Sequence, residues 1–160
     1  MRAYLGIGSN IEPRLDYLDR AITALEQCGR VIELSPIYET EPLGASAHGW
    51  HLNQVVVLDT SLEPDILLAS CKQIEQALGR KPYPGYTDRE IDIDILLYND
   101  TVLASDELII PHRALADRNF FLQPLSDVAQ LIIEPRSGKT IKQLLDNCPD
   151  TLQVKLYEPN

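Results

Sequence analysis

Residues 89–95 read Arg-Glu-Ile-Asp-Ile-Asp-Ile, a strict alternation of charged and apolar side chains. Successive side chains leave a strand on opposite faces, so an extended chain puts Ile91, Ile93 and Ile95 on one side and Glu90, Asp92 and Asp94 on the other. A helix would scatter the same residues around its axis. The pattern therefore predicts a strand over 90–98 with one face in a core and the other carrying carboxylates. Residues two apart on a strand face lie roughly 6–7 Å from each other. Asp92 and Asp94 at that spacing repel unless something positive sits between them. A hard cation meets that need, because Mg²⁺ takes one or two carboxylates and phosphate oxygens complete its shell. Spacing alone leaves a second reading open, the solvated polar face of a half-buried strand.

The rest of the chain supplies the elements that bury the isoleucine row. Residues 2–7 read as a buried strand. Pro13 opens a helix with Leu15, Leu18, Ile22 and Leu25 on one face, stopped at Gly29. Residues 30–38 read as a second strand, made irregular by Pro36, and 51–59, with Val55-Val56-Val57-Leu58, as a third and central one. Pro64 opens a second helix carrying Leu67, Cys71, Ile74 and Leu78, ended by Gly79. The order to residue 98 is strand, helix, strand, strand, helix, strand. That is the βαββαβ order of a ferredoxin-like α+β sandwich, with a mainly antiparallel sheet and both helices on one face. Beyond it, 107–110 is strand-like, Thr140 and Gln143 form a capping-box pattern for a short helix to Asn147, and Leu152, Val154 and Leu156 alternate as a last, one-sided strand. No linker, repeat or low-complexity segment divides the 160 residues, so one domain over 1–160 is expected.

Composition narrows the function classes. With 14 Lys plus Arg against 24 Asp plus Glu, the formal net charge is −10. This argues against nucleic acid or an anionic membrane as partner, and two Phe and one Trp leave little for base stacking. No apolar run is long enough to span a bilayer, and Gly8-Ser9-Asn10 breaks the N-terminal apolar stretch before it could serve export. Cys28, Cys71 and Cys148 are odd in number and far apart, which suits reduced thiols in a cytoplasmic protein. A monomer is the expectation, and a dimer is compatible with it.

Other motifs fail their own tests. Gly6-Ile7-Gly8 lacks the third glycine of a dinucleotide loop, and Ser137-Gly138-Lys139-Thr140 lacks the first glycine of a phosphate loop. His48, His51 and His112 have no metal-ligand spacing. Pro111-His112-Arg113 with Arg118 is a basic island in an acidic chain, and Arg80 and Lys81 begin the loop that leads to Arg89. Together with Asp92 and Asp94 they are an inventory for phosphoryl transfer, in which cationic side chains neutralise developing charge. Each taken singly is also ordinary surface charge.

In this order and at these separations the residues resemble the 6-hydroxymethyl-7,8-dihydropterin pyrophosphokinase family of folate biosynthesis. The resemblance covers residues 4–125. It rests on Ile7-Gly8-Ser9-Asn10, Tyr38-Glu39-Thr40-Glu41-Pro42-Leu43-Gly44, Leu52-Asn53, Ile74-Glu75, Gly79-Arg80, Arg89-x-x-Asp92-Ile93-Asp94-Ile95-Leu96, Ile110-Pro111-His112, Arg118 and Phe120. It implies transfer of pyrophosphate from ATP to the pterin's hydroxymethyl oxygen, with AMP released. It also implies the ferredoxin-like fold and two Mg²⁺ ions held by Asp92 and Asp94. By the same resemblance Arg80, Arg89, His112 and Arg118 act on the phosphates. Lys72, Glu75, Lys81, Ile95 and Arg113 lie with Arg89, His112 and Arg118 about the nucleotide. Thr40, Pro42, Leu43, His51, Asn53 and Phe120 surround the pterin, Asn53 reading its edge and His51 and Phe120 stacking on its faces.

The sequence departs from the family pattern in places. His51 stands where Tyr or Phe is common, and an imidazole that titrates near neutral pH would make pterin affinity pH-dependent. The 80–89 loop, a candidate mobile lid, is shorter and poorer in basic residues, with Tyr86 at the usual Trp. Asp88 and Glu90 flank Arg89 and are expected to offset part of its charge.

Overall fold

The computed structural model describes residues 1–43, 49–81 and 88–159. A six-stranded sheet forms its centre. Strand β1 (Arg2–Ser9) leads through helix α1 (Arg14–Leu25) to β2 (Arg30–Leu34) and β3 (Tyr38–Thr40), and β4 (His51–Asp59) leads through α2 (Pro64–Ala77) to β5 (Asp92–Tyr98). The sheet order is β5-β1-β4-β3, continued by β8 (Val154–Leu156), with β2 also paired to β4. Every strand pair is antiparallel. Each helix connects strands separated by one other, which is the split connection of the ferredoxin-like fold. The expected second strand is present in two pieces. Ser35-Pro36-Ile37 interrupts it, and both pieces pair with β4.

The helices sit where the apolar spacing puts them. Leu18, Ala21 and Leu25 of α1 and Leu67 and Cys71 of α2 pack on Ala3, Leu5 and Ile7, on Leu52, Val56 and Leu58, and on Ile91, Ile93 and Ile95. The isoleucine row read from the sequence is therefore in the core. Pro64 opens α2, and Gly79, at φ +101°, adopts the left-handed conformation that closes it. Burial pushes the Cys71 thiol up to about 12, which suits an inert core residue. All three cysteines are free. Among the described residues no helix is long and apolar enough to cross a membrane.

The opposite face is covered by elements beyond β5, where the sequence announces a short strand and a last short helix but not the longer helix between them. A short pair, β6 (Leu103–Ala104) and β7 (Ile109–Ile110), and a 3₁₀ turn at Leu115–Asp117 lead into α3 (Asn119–Ala129), followed by α4 (Ile141–Asp146). Pro124 inside α3 lacks the N–H for the helical ladder. The helix persists because Phe121, Leu122, Leu125 and Ala129 all bury against Tyr4, Val55, Val57 and Leu97. A register shift between β1 and β5 at Tyr4/Leu5 sets Leu96 and Leu97 both on this side before Tyr98 returns to the other. Both bonds of the Thr140/Gln143 capping box are made, at 3.1 and 2.9 Å.

Candidate active site

The α3-covered face is left open at one end of the sheet, and two glycines make the opening. Gly8 on β1 pairs with Asp92 on β5 and with Asn53 on β4, and Gly6 pairs with Asp94 and Val55. Residues paired across antiparallel strands face the same side. Asp92, Gly8 and Asn53 thus form a row in which the middle member has no side chain, a trough between a carboxylate and a carboxamide. The space is already fully used. A Cβ on Gly8 would lie 2.5 Å from Asn53 Oδ1, and one on Gly6 would meet the Phe121 ring at 3.3 Å. Both glycines line the cavity, a placement that a search for dinucleotide-loop glycines misses. The readable signal is Gly-x-Gly at the period of a strand.

On the carboxylate side, Arg80 Nη1 lies 2.6 Å from Glu75 Oε2 and 3.0 Å from Asp92 Oδ1, while Arg89 Nη1 lies 3.3 Å from Asp92 Oδ2. His112 Nε2 faces Asp94 Oδ1 at 3.6 Å. Its Nδ1 accepts from the Ala114 N–H at 3.1 Å, so the ring proton points from Nε2 towards Asp94. The ring also rests on Phe121, with centroids 4.8 Å apart. Burial, and then the charge of Asp94, push Asp92 up to about 7 against the opposing pull of Arg80 and Arg89. Burial raises Glu75 as well, although it accepts the Ile93 N–H at 2.8 Å. The arrangement collects more acid than two guanidinium groups relieve.

A divalent cation fits that chemistry, since Asp92 and Asp94 offer hard oxygens on one strand face and, with Glu75, outnumber the two guanidinium groups beside them. Among the described residues no group of three or more His, Cys, Asp or Glu is arranged to hold a metal. Oxygens from elsewhere would have to complete the shell.

The carboxamide side is built on β3 and β4. Thr40, 1% exposed, pairs with His51 across β3 and β4 and accepts from Asn53 Nδ2 at 2.6 Å. The expectation that His51 titrates near neutral pH is corrected here. Burial and the nearby Arg89 and Arg14 push it down to about 4, so the ring is neutral under ordinary conditions. Arg14 donates to Glu39 at 2.7 Å and to the Trp50 carbonyl at 3.0 Å, which joins α1 to the ends of β3 and β4. The 9%-exposed Asn10 donates to Gly49 O and Asp88 Oδ1 and accepts from the Arg89 N–H at 2.6 Å. Asp88 is therefore bonded to Asn10, and the Arg89 guanidinium turns to Asp92.

The structure brings most of the expected site residues together. Thr40, Leu43, His51, Asn53, Lys72, Glu75, Arg80, Arg89, Asp92, Asp94, His112, Arg118 and Phe120 all line one cavity of about 420 Å³, with Gly6, Gly8 and Phe121. Ile95 and Arg113 line a second cavity of about 200 Å³ instead, and Leu68, Ile93, Asp94 and His112 form the wall that the two share. Pro42 and Lys81 are not among the lining residues of either cavity. Gly44, His48 and the centre of the proposed lid, 82–87 with Tyr86, lie outside the described residues.

The chain is similar in sequence and in fold to known proteins. A family model described as 7,8-dihydro-6-hydroxymethylpterin-pyrophosphokinase (HPPK) matches residues 4–130. A 2-amino-4-hydroxy-6-hydroxymethyldihydropteridine pyrophosphokinase of Aquifex aeolicus is 40% identical over 140 residues, 88% of each chain. One from Porphyromonas gingivalis is 44% identical over 131 residues, 79% of this chain and 89% of the relative. The folic acid synthesis protein fol1 of Schizosaccharomyces pombe is 36% identical over 97% of this chain, which spans 21% of that relative's length. Among solved structures, the wild-type HPPK-DHPS of Plasmodium falciparum with SDX-DHP superposes with a TM-score of 0.71 at 19% identity. That match covers 91% of this chain and 43% of the other, and it is a likeness of fold.

Proposed function

The chain belongs to the 7,8-dihydro-6-hydroxymethylpterin-pyrophosphokinase family, and from that premise we propose which of its residues carry the reaction. The activity is transfer of pyrophosphate from ATP to the hydroxymethyl group of 6-hydroxymethyl-7,8-dihydropterin, a step of folate biosynthesis. The observation that carries the assignment is the row Asp92, Gly8, Asn53 across three strands. It sets a cation-binding carboxylate and a base-reading carboxamide on either side of a floor with no side chain.

The pterin lies against the Asn53 end. Its flat ring slots between Phe120 and the neutral His51, and the Asn53 carboxamide, oriented by Thr40, offers a donor and an acceptor in one plane. Gly8 lets the ring reach the sheet. The triphosphate lies over Asp92 and Asp94. Two Mg²⁺ ions held by these carboxylates would polarise the phosphoryl oxygens and template in-line displacement. Arg80 and Arg89 now serve as counter-charges to Asp92. Each guanidinium stands beside Asp92, where it would be within reach of the phosphate charge it must neutralise. His112 presents its Nε2 proton, and Arg118 joins from the residue preceding α3. Lys72 and Glu75 border the nucleotide from α2, and Ile95 and Arg113 line the smaller cavity beyond His112. The net charge of −10 supports small-molecule substrates over nucleic acid. Three unpaired cysteines support a reducing, cytoplasmic setting, and a single chain holds every residue named, which supports a monomer.

The test is to identify the nucleotide product with ATP, Mg²⁺ and the pterin present together. AMP that appears only with pterin, and is lost in Asp92→Ala and in Asp94→Ala, is the expected result. ADP would overturn the mechanism. Full turnover after exhaustive chelation would overturn the metal role.

A further inference from the structure

The turn after α3 reaches back to the catalytic wall. Glu134, 7% exposed, accepts the backbone N–H groups of Arg136 and Ser137, and its own N–H donates to Lys139 O at 2.7 Å. Its carbonyl accepts from Gly138, which closes the turn at φ +73°. A turn tied down at this many points is a firm base for one long side chain. From it Arg136 Nη2 donates to the Ile110 carbonyl at 3.1 Å and, more loosely, to the Pro111 carbonyl at 3.5 Å. Those two carbonyls immediately precede His112.

The His112 segment has few other fastenings. The pairing of β6 with β7 is two residues long, and the His112 N–H donates to Leu96 O at 3.0 Å. The His112 carbonyl accepts from the Leu115 N–H at 3.0 Å, and the orientation of the ring rests on the Ala114 N–H, the Phe121 face and Asp94 Oδ1 at 3.6 Å. His112 lines both cavities, so a small rotation of this segment displaces a wall common to the two. Among the described residues no carboxylate pairs with the Arg136 guanidinium, and its Nη2 is directed at the two carbonyls. A planar guanidinium fixes such a contact better than a mobile ammonium.

We propose that Arg136 is a positioning residue for turnover: it clamps the Ile110–Pro111 backbone and thereby holds the His112 imidazole in its Nε2-protonated orientation over Asp94. The proposal rests on the reading of His112 as a group that faces the transferring phosphates. It predicts an asymmetric kinetic effect, because Thr40, His51 and Asn53 at the pterin end stand on β3 and β4, and Phe120 meets the His112 side only through Phe121.

Arg136→Met and Arg136→Lys, compared with His112→Ala, test it. Arg136→Met should lower kcat ~5- to 50-fold, the range for a displaced catalytic group, with the pterin KM within about twofold of the parent. Arg136→Lys should recover a large part of that loss. In protein free of ligand and metal, the imidazole ¹⁵N resonances of His112 should move in Arg136→Met towards those of a ring exchanging between tautomers, while those of His51 stay in place. Unchanged His112 resonances, or a pterin KM that rises as much as kcat falls, would overturn the proposal. A loss of kcat that follows a matching loss of thermal stability in both Arg136 variants would do so too. Full turnover in His112→Ala would instead remove the reading of His112 beneath it, and the resonances distinguish the two failures because they are measured without turnover.

Discussion

The two faces of the sheet are made by the same strands and do opposite things. Towards α1 and α2, most inward side chains of β1, β4 and β5 are aliphatic, with Ser9, Gln54 and Tyr98 as exceptions, and the layer is closed by leucines that are 0% exposed, such as Leu5, Leu18, Leu58 and Leu67. Towards α3, the sheet is apolar only as far as Gly6 and Phe121. Beyond them the same strands present Asp92, Asp94, Asn53 and Thr40 to a cavity. The difference shows how the fold separates stability from chemistry. One face can be packed at crystal-like density. The other holds charges at a spacing that is unfavourable without a ligand, a condition tolerated at functional sites because the rest of the fold supplies the stability.

Changes on the two faces should therefore separate cleanly. The largest effect is expected on the open face. Asp94→Ala should lower kcat/KM by about 10³-fold or more through lost stabilisation of transferring charge, with a melting temperature close to the parent's. Asp92→Asn sharpens the contrast. Because burial and Asp94 raise its pKa, the ionised Asp92 weakens the fold as pH rises through the range from the usual carboxylate value to about 7. Its amide variant should be at least as stable as the parent in metal-free buffer at pH 8, and inactive. A clear drop in its melting temperature would break the comparison.

On the closed face the opposite is expected. Leu58→Ala or Leu67→Ala should destabilise by about 2–5 kcal/mol in denaturant unfolding, with turnover per folded molecule nearly unchanged well below the transition. Gly8→Ala should fall between these extremes. The added Cβ, 2.5 Å from Asn53 Oδ1, must push the carboxamide away from the trough. A rise in pterin KM of about 10- to 100-fold, the size of losing one or two well-made polar contacts, should leave nucleotide affinity close to the parent's, as titration calorimetry can report.

The smallest effect is one of pH. His51 stays neutral in the folded protein down to about 4, whereas the unfolded chain takes up its proton near the ordinary histidine value. It contributes no pH dependence above that value. As pH falls from about 6.5 towards 4 the unfolded state gains the proton first, so stability declines. His51→Phe should flatten that part of the stability profile. Pterin affinity measured between pH 6 and 8 should show no dependence that His51→Phe removes.

Much of the closed face is legible along the chain, and particular residues show why. Leu18, Ile22 and Leu25, the Pro64 and Gly79 that bound α2, and the Ile91, Ile93 and Ile95 row are local patterns, and a local pattern states which face it buries; Leu15, read on the same helix face, is instead 38% exposed. Parts of the open face are legible for the same reason, Asp92 and Asp94 above all. The resemblance that begins at Ile7-Gly8-Ser9-Asn10 extended the reading to Asn53, His112 and Phe120. What escaped was non-local. Helix α3 is obscured by Pro124, whose cost is offset only by the sheet it covers. Gly8 reveals its purpose only when Asn53 and Asp92 stand on either side of it. His51 looks like a neutral-pH titrating group until the burial that holds it neutral is known.

The sequence by itself determined the order of strands and helices to residue 98, the apolar side of most of them, and the presence of two carboxylates on one strand face, because these depend on side-chain period and on residues close along the chain. Only the tertiary structure decided which rows meet across strands, which arginines pair with Asp92, that Ile95 and Arg113 line a different cavity from Asn53, and that Arg136 reaches the backbone before His112. Those facts follow from strand register and the packing of α3, which join residues far apart in the chain and set the local dielectric on which every charge in the site depends.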